Sequence, residues 1–316
     1  MKARSLKIQN SALRIKSVKH LCRRLGTSRS ELESLCGDID RHVCSRTITR
    51  NGKKRRIDAP VGRFREILRR LNRILQRLSF PRNMHGGLRG RSTVSYASRH
   101  TGKSVLLQSD LKDFFPSIDC KRVYSLFNCG LECTPDVSRF LTRLTTFNGA
   151  LPQGYPTSTV IGALVSRTLA TRLDKLATDN GGTADIFVDD IVVSGPAYTG
   201  RLKRTVLKIV EQEGFKPNTD KTDVVDRNSE QVLTGVRVNH SLDVPSGKVA
   251  AIRELISDIK DRRLRGHLVS RKEERSARGK IRYVKRLNKG AGVFLERSLE
   301  AALNTNPVSV NDCHPR

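Results

Sequence analysis

Residues 186–195 read IFVDDIVVSG, two adjacent aspartates between runs of β-branched and aromatic residues. Runs of that composition belong in strands. Neighbouring carboxylates repel each other, and an unpaired charge carried into a core is costly. A hairpin tip would bring Asp189 and Asp190 out of the core, and a shared cation would offset their repulsion. Such a site calls for a third carboxylate on another strand. Asp110 meets that need, because it closes the strand-like run VLLQSD. Mg²⁺ is commonly held by one or two carboxylates, with water and substrate phosphates filling an octahedron. Two such ions about 4 Å apart can activate an attacking oxygen and stabilise a leaving one.

Charge supports that chemistry. Sixty Lys and Arg stand against 31 Asp and Glu, a formal net charge of +29 and a pI near 10.6. A solvated helix face explains one run of charge, but not a twofold excess along the whole chain. The partner implied is a polyanion, and nucleic acid is the natural one. A membrane surface is disfavoured, since no amphipathic segment carries an aromatic-rich apolar face. No run of eighteen apolar residues suggests a transmembrane helix, and the N-terminus lacks a signal peptide's apolar stretch. Seven scattered cysteines without a secretory signal suggest reduced thiols and a cytoplasmic protein. Cys129 and Cys133 have no second pair of ligands nearby, so zinc is not expected there.

Residues 1–40 read as helical and basic, with Ser30 as a possible cap and Gly37 as a stop. Asn51 and Gly52 then join two strands as a hairpin, with Arg50, Lys53, Lys54, Arg55 and Arg56 at its end. The segment RFREILRRLNRILQRLSF places Phe64, Ile67, Leu68, Leu71, Ile74, Leu75 and Leu78 at helical spacing. HGGLRGRST is a glycine- and arginine-rich loop. Residues 157–179 read as one long helix, capped by Thr157 or Ser158. Another amphipathic helix ends at Gly214, and QVLTGVRVNHSLDVP reads as strand, turn, strand. From Ser246 the chain is helical and very basic: residues 251–290 hold 14 Lys and Arg against 5 Asp and Glu. Alternating strands and helices suggest an α/β layer with helical ends.

Five stretches, in order, resemble the palm motifs of reverse transcriptases: SDLKDFFPSI, LPQGYPTS, FVDD, EGFKPNTDKT and VLTGVRVN. The likeness covers roughly residues 45–290. RRIDAP, HGGLRGRS and ARGKIRYVKRLN make the chain more similar to bacterial retron reverse transcriptases. Three positions depart from the retron pattern: YASRH stands for Asn-Ala-x-x-His, Leu233 for the valine of Val-Thr-Gly, and Phe187 for the tyrosine of the YxDD box. None of these is a metal carboxylate.

The resemblance implies an α+β right-hand polymerase, with an RRM-like palm of antiparallel sheet plus helices. Its expected parts are an N-terminal helical extension at 1–40, fingers at 41–109, palm at 110–240, helical thumb at 241–300 and a tail at 301–316. It implies RNA-directed DNA synthesis from dNTPs with two Mg²⁺ ions, on an RNA/DNA hybrid. The ions fall to Asp110, Leu111, Asp189 and Asp190, with the three aspartates catalytic. Asp113 is expected to be a polar neighbour. Arg55 or Arg56 would meet the triphosphate, Phe115 would exclude a 2′-OH, and Gln153 and Gly154 would approach nucleotide or template. Lys221 would lie near the triphosphate. Arg91, His100, Thr234 and Gly235 would contact RNA. A retron enzyme implies a structured noncoding RNA of the msr–msd type, priming from a 2′-OH, an antiphage role and a separate effector protein. The alternatives are another defence reverse transcriptase with different priming, an RNA-binding chaperone that kept the fold, and an intron-type maturase, for which 316 residues leave little room.

Overall fold

The computed structural model describes residues 13–50 and 52–306, so the expected features at 1–12 and 307–316 lie outside the described residues. The chain divides into two compact units. One runs up to Tyr96 and resumes over Ser104–Asp226; the other joins Ala97–Lys103 to the chain from Arg227 onward.

In the first unit, α1 (Val18–Leu25) and α2 (Arg29–Gly37) are short capped helices. Ser28, not Ser30, caps α2, its hydroxyl accepting the Glu31 N–H. Strands β1 (Val43–Arg50) and β2 (Lys53–Pro60) pair antiparallel from Val43↔Pro60 to Arg50↔Lys53; Asn51 of the expected Asn-Gly turn lies outside the described residues. Helix α3 (Gly62–Leu75) buries six of the seven expected apolar positions, and the seventh, Leu78, is buried just beyond its end. At roughly 2 kcal/mol for each fully buried side chain, that face alone accounts for the helix docking.

The central sheet uses β3 (Met84–His85), β4 (Val105–Asp110), β5 (Thr183–Phe187), β6 (Asp190–Gly195) and β7 (Asp223–Asp226). Between β3 and β4 lies α4 (Thr93–Ala97); between β4 and β5 lie α5 (Cys120–Ser125), α6 (Pro135–Thr145), α7 (Ser158–Val165) and α8 (Arg167–Asp179). Helix α9 (Lys203–Gln212) precedes β7. The strand order is β3-β5-β6-β4-β7, and every pairing is antiparallel except β3 with β5. The α/β layer suggested by alternation is thus an α+β arrangement, with parallel pairing confined to a two-residue edge strand. The single helix expected over 157–179 is two. The Ser166 hydroxyl bonds back to the Gly162 carbonyl at 2.9 Å, and Ser166 (φ −89°, ψ 8°) breaks the run. A side chain that competes for the helix's own carbonyls bends it in this way.

In the second unit, β8 (Val232–Leu233) and β9 (Val236–Arg237) form a hairpin. Helices α10 (Ser246–Leu264), α11 (Arg271–Leu287) and α12 (Lys289–Leu303) share a separate apolar core around Ile252, Ile259, Ile281 and Leu299. The expected palm–thumb boundary at 240 falls inside this unit. The two segments of this unit are joined at Gly102: its N–H donates to Val238 O at 3.0 Å, and the Arg227 guanidinium donates to its carbonyl at 2.7 Å. Among the described residues no helix is long and apolar enough to cross a membrane.

Candidate active site

Register brings the three aspartates together. Val188 and Asp189 form the two-residue loop between β5 and β6, with Phe187 opposite Asp190. Asp190 is therefore the first residue of a strand, not a tip residue, and it pairs directly across from Asp110 at the end of β4. The Leu111 N–H donates to the Asp189 carbonyl at 2.9 Å, stitching the loop to the end of β4. One ligand atom from each of Asp110, Asp189 and Asp190 lies within 4.8 Å of the others. Leu111 buries its side chain, so what it could offer a metal is its carbonyl oxygen. Asp113, exposed and at φ +49°, is not in the cluster.

The electrostatics are those of an under-neutralised anionic site. Desolvation first, then repulsion from Asp189 and Asp110, pushes the Asp190 carboxyl up to about 6. Asp189 is raised too, by desolvation and by Asp110, with Lys221 and Arg55 pulling the other way. Lys221 Nζ donates to Asp110 Oδ2 at 2.7 Å. That bond raises the lysine's own pKa. Asn218 Nδ2 reaches the same oxygen at 3.1 Å, and the Asn218 N–H donates to the Asp110 carbonyl at 2.7 Å. Hard oxygen donors gathered at a strand end and a hairpin fit a divalent cation.

The hairpin is braced from its edge. His85 O accepts the Val188 N–H at 3.3 Å, and His85 Nε2 lies 2.9 Å from Asp185 Oδ1, both side chains buried. The Tyr96 ring packs on both His85 and Phe187, with centroids at 5.4 and 5.3 Å. A Cβ at Gly86 would lie 2.4 Å from a methyl of Val188. Gly86, the first glycine of HGG, therefore leaves the room that Val188 of the aspartate hairpin takes.

The remaining expected residues divide. Arg56 is committed to its own ribbon, donating to Asp58 Oδ1 at 2.8 Å and to Ser45 Oγ at 3.2 Å. Arg55 is exposed, and its charge is felt at Asp189. Phe115 is half-buried against Phe114, centroids 5.3 Å apart. Gln153 is half-buried, and its side-chain amide has no partner among the described residues. Gly154 sits at φ +134°, and a Cβ there would come 2.5 Å from the Asp58 carbonyl oxygen. Gly154 thus makes a close backbone approach to β2. The Arg91 guanidinium donates to the carbonyls of Pro81, Met84 and Phe80, holding its own loop. His100 is fully buried. Thr234 and Gly235 form the loop between β8 and β9 at φ +48° and +81°, and Tyr283 donates to Gly235 O at 3.0 Å.

Sequence reasoning passed over Asn218, His85 and Asp185. Asn218 lies inside EGFKPNTDKT, three residues before Lys221, so its motif was visible. The His85–Asp185 pair spans 100 residues, and nothing local announced it.

Three carboxylates at a strand end and a tight hairpin, with a lysine on one of them, form a cluster whose ligand atoms could hold a metal ion. A family model described as reverse transcriptase (RNA-dependent DNA polymerase) matches residues 51–238. The chain belongs to the reverse transcriptase family and is similar to bacterial retron reverse transcriptases. It is 32% identical over 293 residues to the retron Mx162 reverse transcriptase of Myxococcus xanthus, covering 80% of this chain and 60% of that protein. It is 28% identical over 192 residues to the retron Ec86 reverse transcriptase of Escherichia coli, covering 60% of this chain and 58% of that one. The chain thus spans about 60% of the length of these curated relatives. A telomerase from Candida albicans, solved with a fragment of telomeric RNA, shares the fold at 12% identity and a TM-score of 0.50, over 85% of this chain and 59% of that one. An apo telomerase from Candida tropicalis does so at 10% identity and a TM-score of 0.51, over 87% of this chain and 63% of that one.

Proposed function

We propose that this chain is an RNA-directed DNA polymerase that copies a structured noncoding RNA into single-stranded DNA. The carrying observation is the cluster of Asp110, Asp189 and Asp190, whose ligand atoms lie within 4.8 Å of one another, in a chain similar to retron reverse transcriptases. Asp110, Asp189 and Asp190 would hold two Mg²⁺ ions, with the Leu111 carbonyl beside them. Bound there, the ions supply charge neutralisation at the phosphates and a lowered pKa at the attacking hydroxyl. That hydroxyl loses its proton, its oxygen bonds to the α-phosphorus of a dNTP, and the bond to pyrophosphate breaks. Arg55 would steady the triphosphate. Lys221, released from Asp110, would face the leaving pyrophosphate. Phe115 would exclude a 2′-OH, and Gln153 would contact the nucleotide or the template. The priming group in the retron reading is a 2′-OH of the RNA itself. Thr234 and Gly235 would engage the cognate RNA, and a separate effector protein would serve an antiphage role.

The test compares the chain with its Asp189→Ala/Asp190→Ala variant, both purified with their native locus. Co-purifying nucleic acid is treated with RNase and with debranching enzyme. A discrete DNA joined to RNA, absent from the variant, is the expected result. RNA without DNA in both samples would sink the retron reading. A variant that kept the biological function would point to an RNA-binding chaperone.

A further inference from the structure

We infer that Gly162 and Phe114 set how well Phe115 tells a deoxyribonucleotide from a ribonucleotide, acting as positioning residues behind its ring. This rests on the reading of Phe115 as the residue that excludes a 2′-OH, and adds to it what holds that ring in place.

Phe115 is the exposed end of a row of stacked groups. Its ring contacts that of Phe114, with centroids 5.3 Å apart. Phe114 in turn contacts Phe215 at 5.8 Å. The Arg122 guanidinium covers the Phe215 ring, 4.2 Å from its centroid. Phe114 and Phe215 are buried, and Phe115 is half-buried. The inner end of the row is anchored, because Arg122 donates to the carbonyls of Gly214 and Glu213, each at 3.1 Å. The outer end is held through the backbone. The Ile118 N–H donates to Phe115 O at 3.1 Å, and the Ser117 hydroxyl to Phe114 O at 2.8 Å. The segment so held leaves the end of β4, where Asp110 lies.

A cluster of aromatic rings is ordinary core packing. Gly162 carries this one further. It is buried inside α7, where glycine is less stable than alanine. Its backbone does not call for glycine, since it is not at positive φ. Its carbonyl accepts the Ser166 hydroxyl, a service any residue could give. What needs the glycine is Phe114: a Cβ at 162 would lie 2.9 and 3.1 Å from two carbons of that ring. The ring takes the place of a side chain on α7. A densely packed interior transmits a displacement of this kind rather than absorbing it. Phe215 is pinned under Arg122, so a shifted Phe114 passes its shift to Phe115, the one ring of the row that borders solvent.

The test is single-nucleotide extension of a DNA primer annealed to an RNA template, with dNTP and rNTP compared, beside thermal unfolding of the full chain. Gly162→Ala is expected to cut discrimination about fivefold, because the methyl unseats Phe114. Phe114→Leu is expected to cut it about fivefold as well, because Phe115 loses the ring behind it. Leucine lacks the two ring carbons that the methyl would meet. The double variant is therefore expected to discriminate within about twofold of wild type, a mutual rescue that a double-mutant cycle isolates. A merely structural role would move the unfolding temperature and leave the ratio alone. Wild-type ratios in both single variants overturn the inference, and so do losses that multiply in the double variant. If Gly162→Ala does not fold, Phe114→Leu decides, and a wild-type ratio in it overturns the inference. Phe115→Val separates the two readings. If it loses discrimination while the Gly162 and Phe114 variants keep theirs, only the positioning role falls. If it too keeps wild-type discrimination, the reading of Phe115 falls and the positioning role with it.

Discussion

The Asp110–Lys221 pair makes the metal site competitive in a way that can be measured without turnover. Lys221 Nζ is 2.7 Å from Asp110 Oδ2. A divalent cation arriving at the triad needs that carboxylate and meets the like charge of the ammonium. The Lys221 side chain is 49% exposed and that of Asp110 14%, so water screens part of the attraction. A pair of this kind contributes up to about 1 kcal/mol. Lys221→Met keeps the apolar stem and deletes the charge. Asn218 still holds Asp110 through its side-chain amide and its backbone N–H, so the carboxylate keeps its aim. About 1 kcal/mol of lost competition corresponds to roughly a fivefold change in a binding constant. Lys221→Met is therefore expected to bind Mn²⁺ about fivefold more tightly than wild type, by calorimetry without nucleotide or nucleic acid. Lys221→Arg keeps the charge and is expected to bind as wild type does. The same Met variant is expected to lose polymerisation rate, because no ammonium is left to meet the pyrophosphate. Unchanged or weaker Mn²⁺ binding in Lys221→Met would refute the reasoning, making Lys221 an organiser of Asp110 and not its competitor.

Asp190 titrates near 6 in the fold against 3.8 ordinarily. A raised carboxyl lowers the stability of the metal-free protein as pH climbs through that window. Asp190→Asn is accordingly expected to raise the metal-free unfolding temperature more at pH 7 than at pH 4, and equal gains at both would contradict the assignment. Gly154→Ala puts a Cβ 2.5 Å from the Asp58 carbonyl oxygen at φ +134°. A cost of roughly 2 kcal/mol, or about 4–8 °C in unfolding temperature, is expected by calorimetry. Arg91→Ala strands three backbone carbonyls and is expected to cost roughly 2–4 kcal/mol, with no change in the salt slope of RNA affinity. A slope lower by about one would establish the expected RNA contact. Phe115→Val is expected to cut discrimination between dNTP and rNTP by about tenfold or more in single-nucleotide extension; unchanged discrimination would make Phe115 a packing residue.

What the sequence disclosed was governed by local pattern. Helix α3 was legible because one period of apolar residues decides its buried face. The β1–β2 ribbon was legible because Asn-Gly separates two strand-like runs, and the aspartate cluster because its motifs keep a fixed order. Side-chain employment was not legible. Arg91 and Arg56 look alike as exposed arginines beside glycines and strands. Which carbonyls and carboxylates reach them is decided by residues brought near in space. Phe80, Pro81 and Met84 claim Arg91, while Ser45 and Asp58 claim Arg56. The break at Ser166 was hidden for a related reason: periodicity records which faces are apolar, not which hydroxyl turns back on its own helix.

The adjacent aspartates are tolerable because the fold divides them and then holds the division in place. Asp189 belongs to a turn and Asp190 to a strand, so the two carboxylates leave the backbone in different local geometries. The division depends on Val188 at φ +62°. That is a left-handed conformation that a two-residue hairpin ordinarily gives to glycine and that a β-branched residue resists. Strain of this kind persists only where the surroundings over-determine it. They do so here from several sides. His85 takes the Val188 N–H, and the absent Cβ of Gly86 leaves room for the valine methyl. Tyr96 stacks on Phe187, and Leu111 holds the Asp189 carbonyl. A glycine at 188 would adopt the turn without strain but would give up the methyl that fills the space beside Gly86. HGG and FVDD, about 100 residues apart in the chain, are therefore one structural unit. The glycine loop braces the turn that carries Asp189 and Asp190.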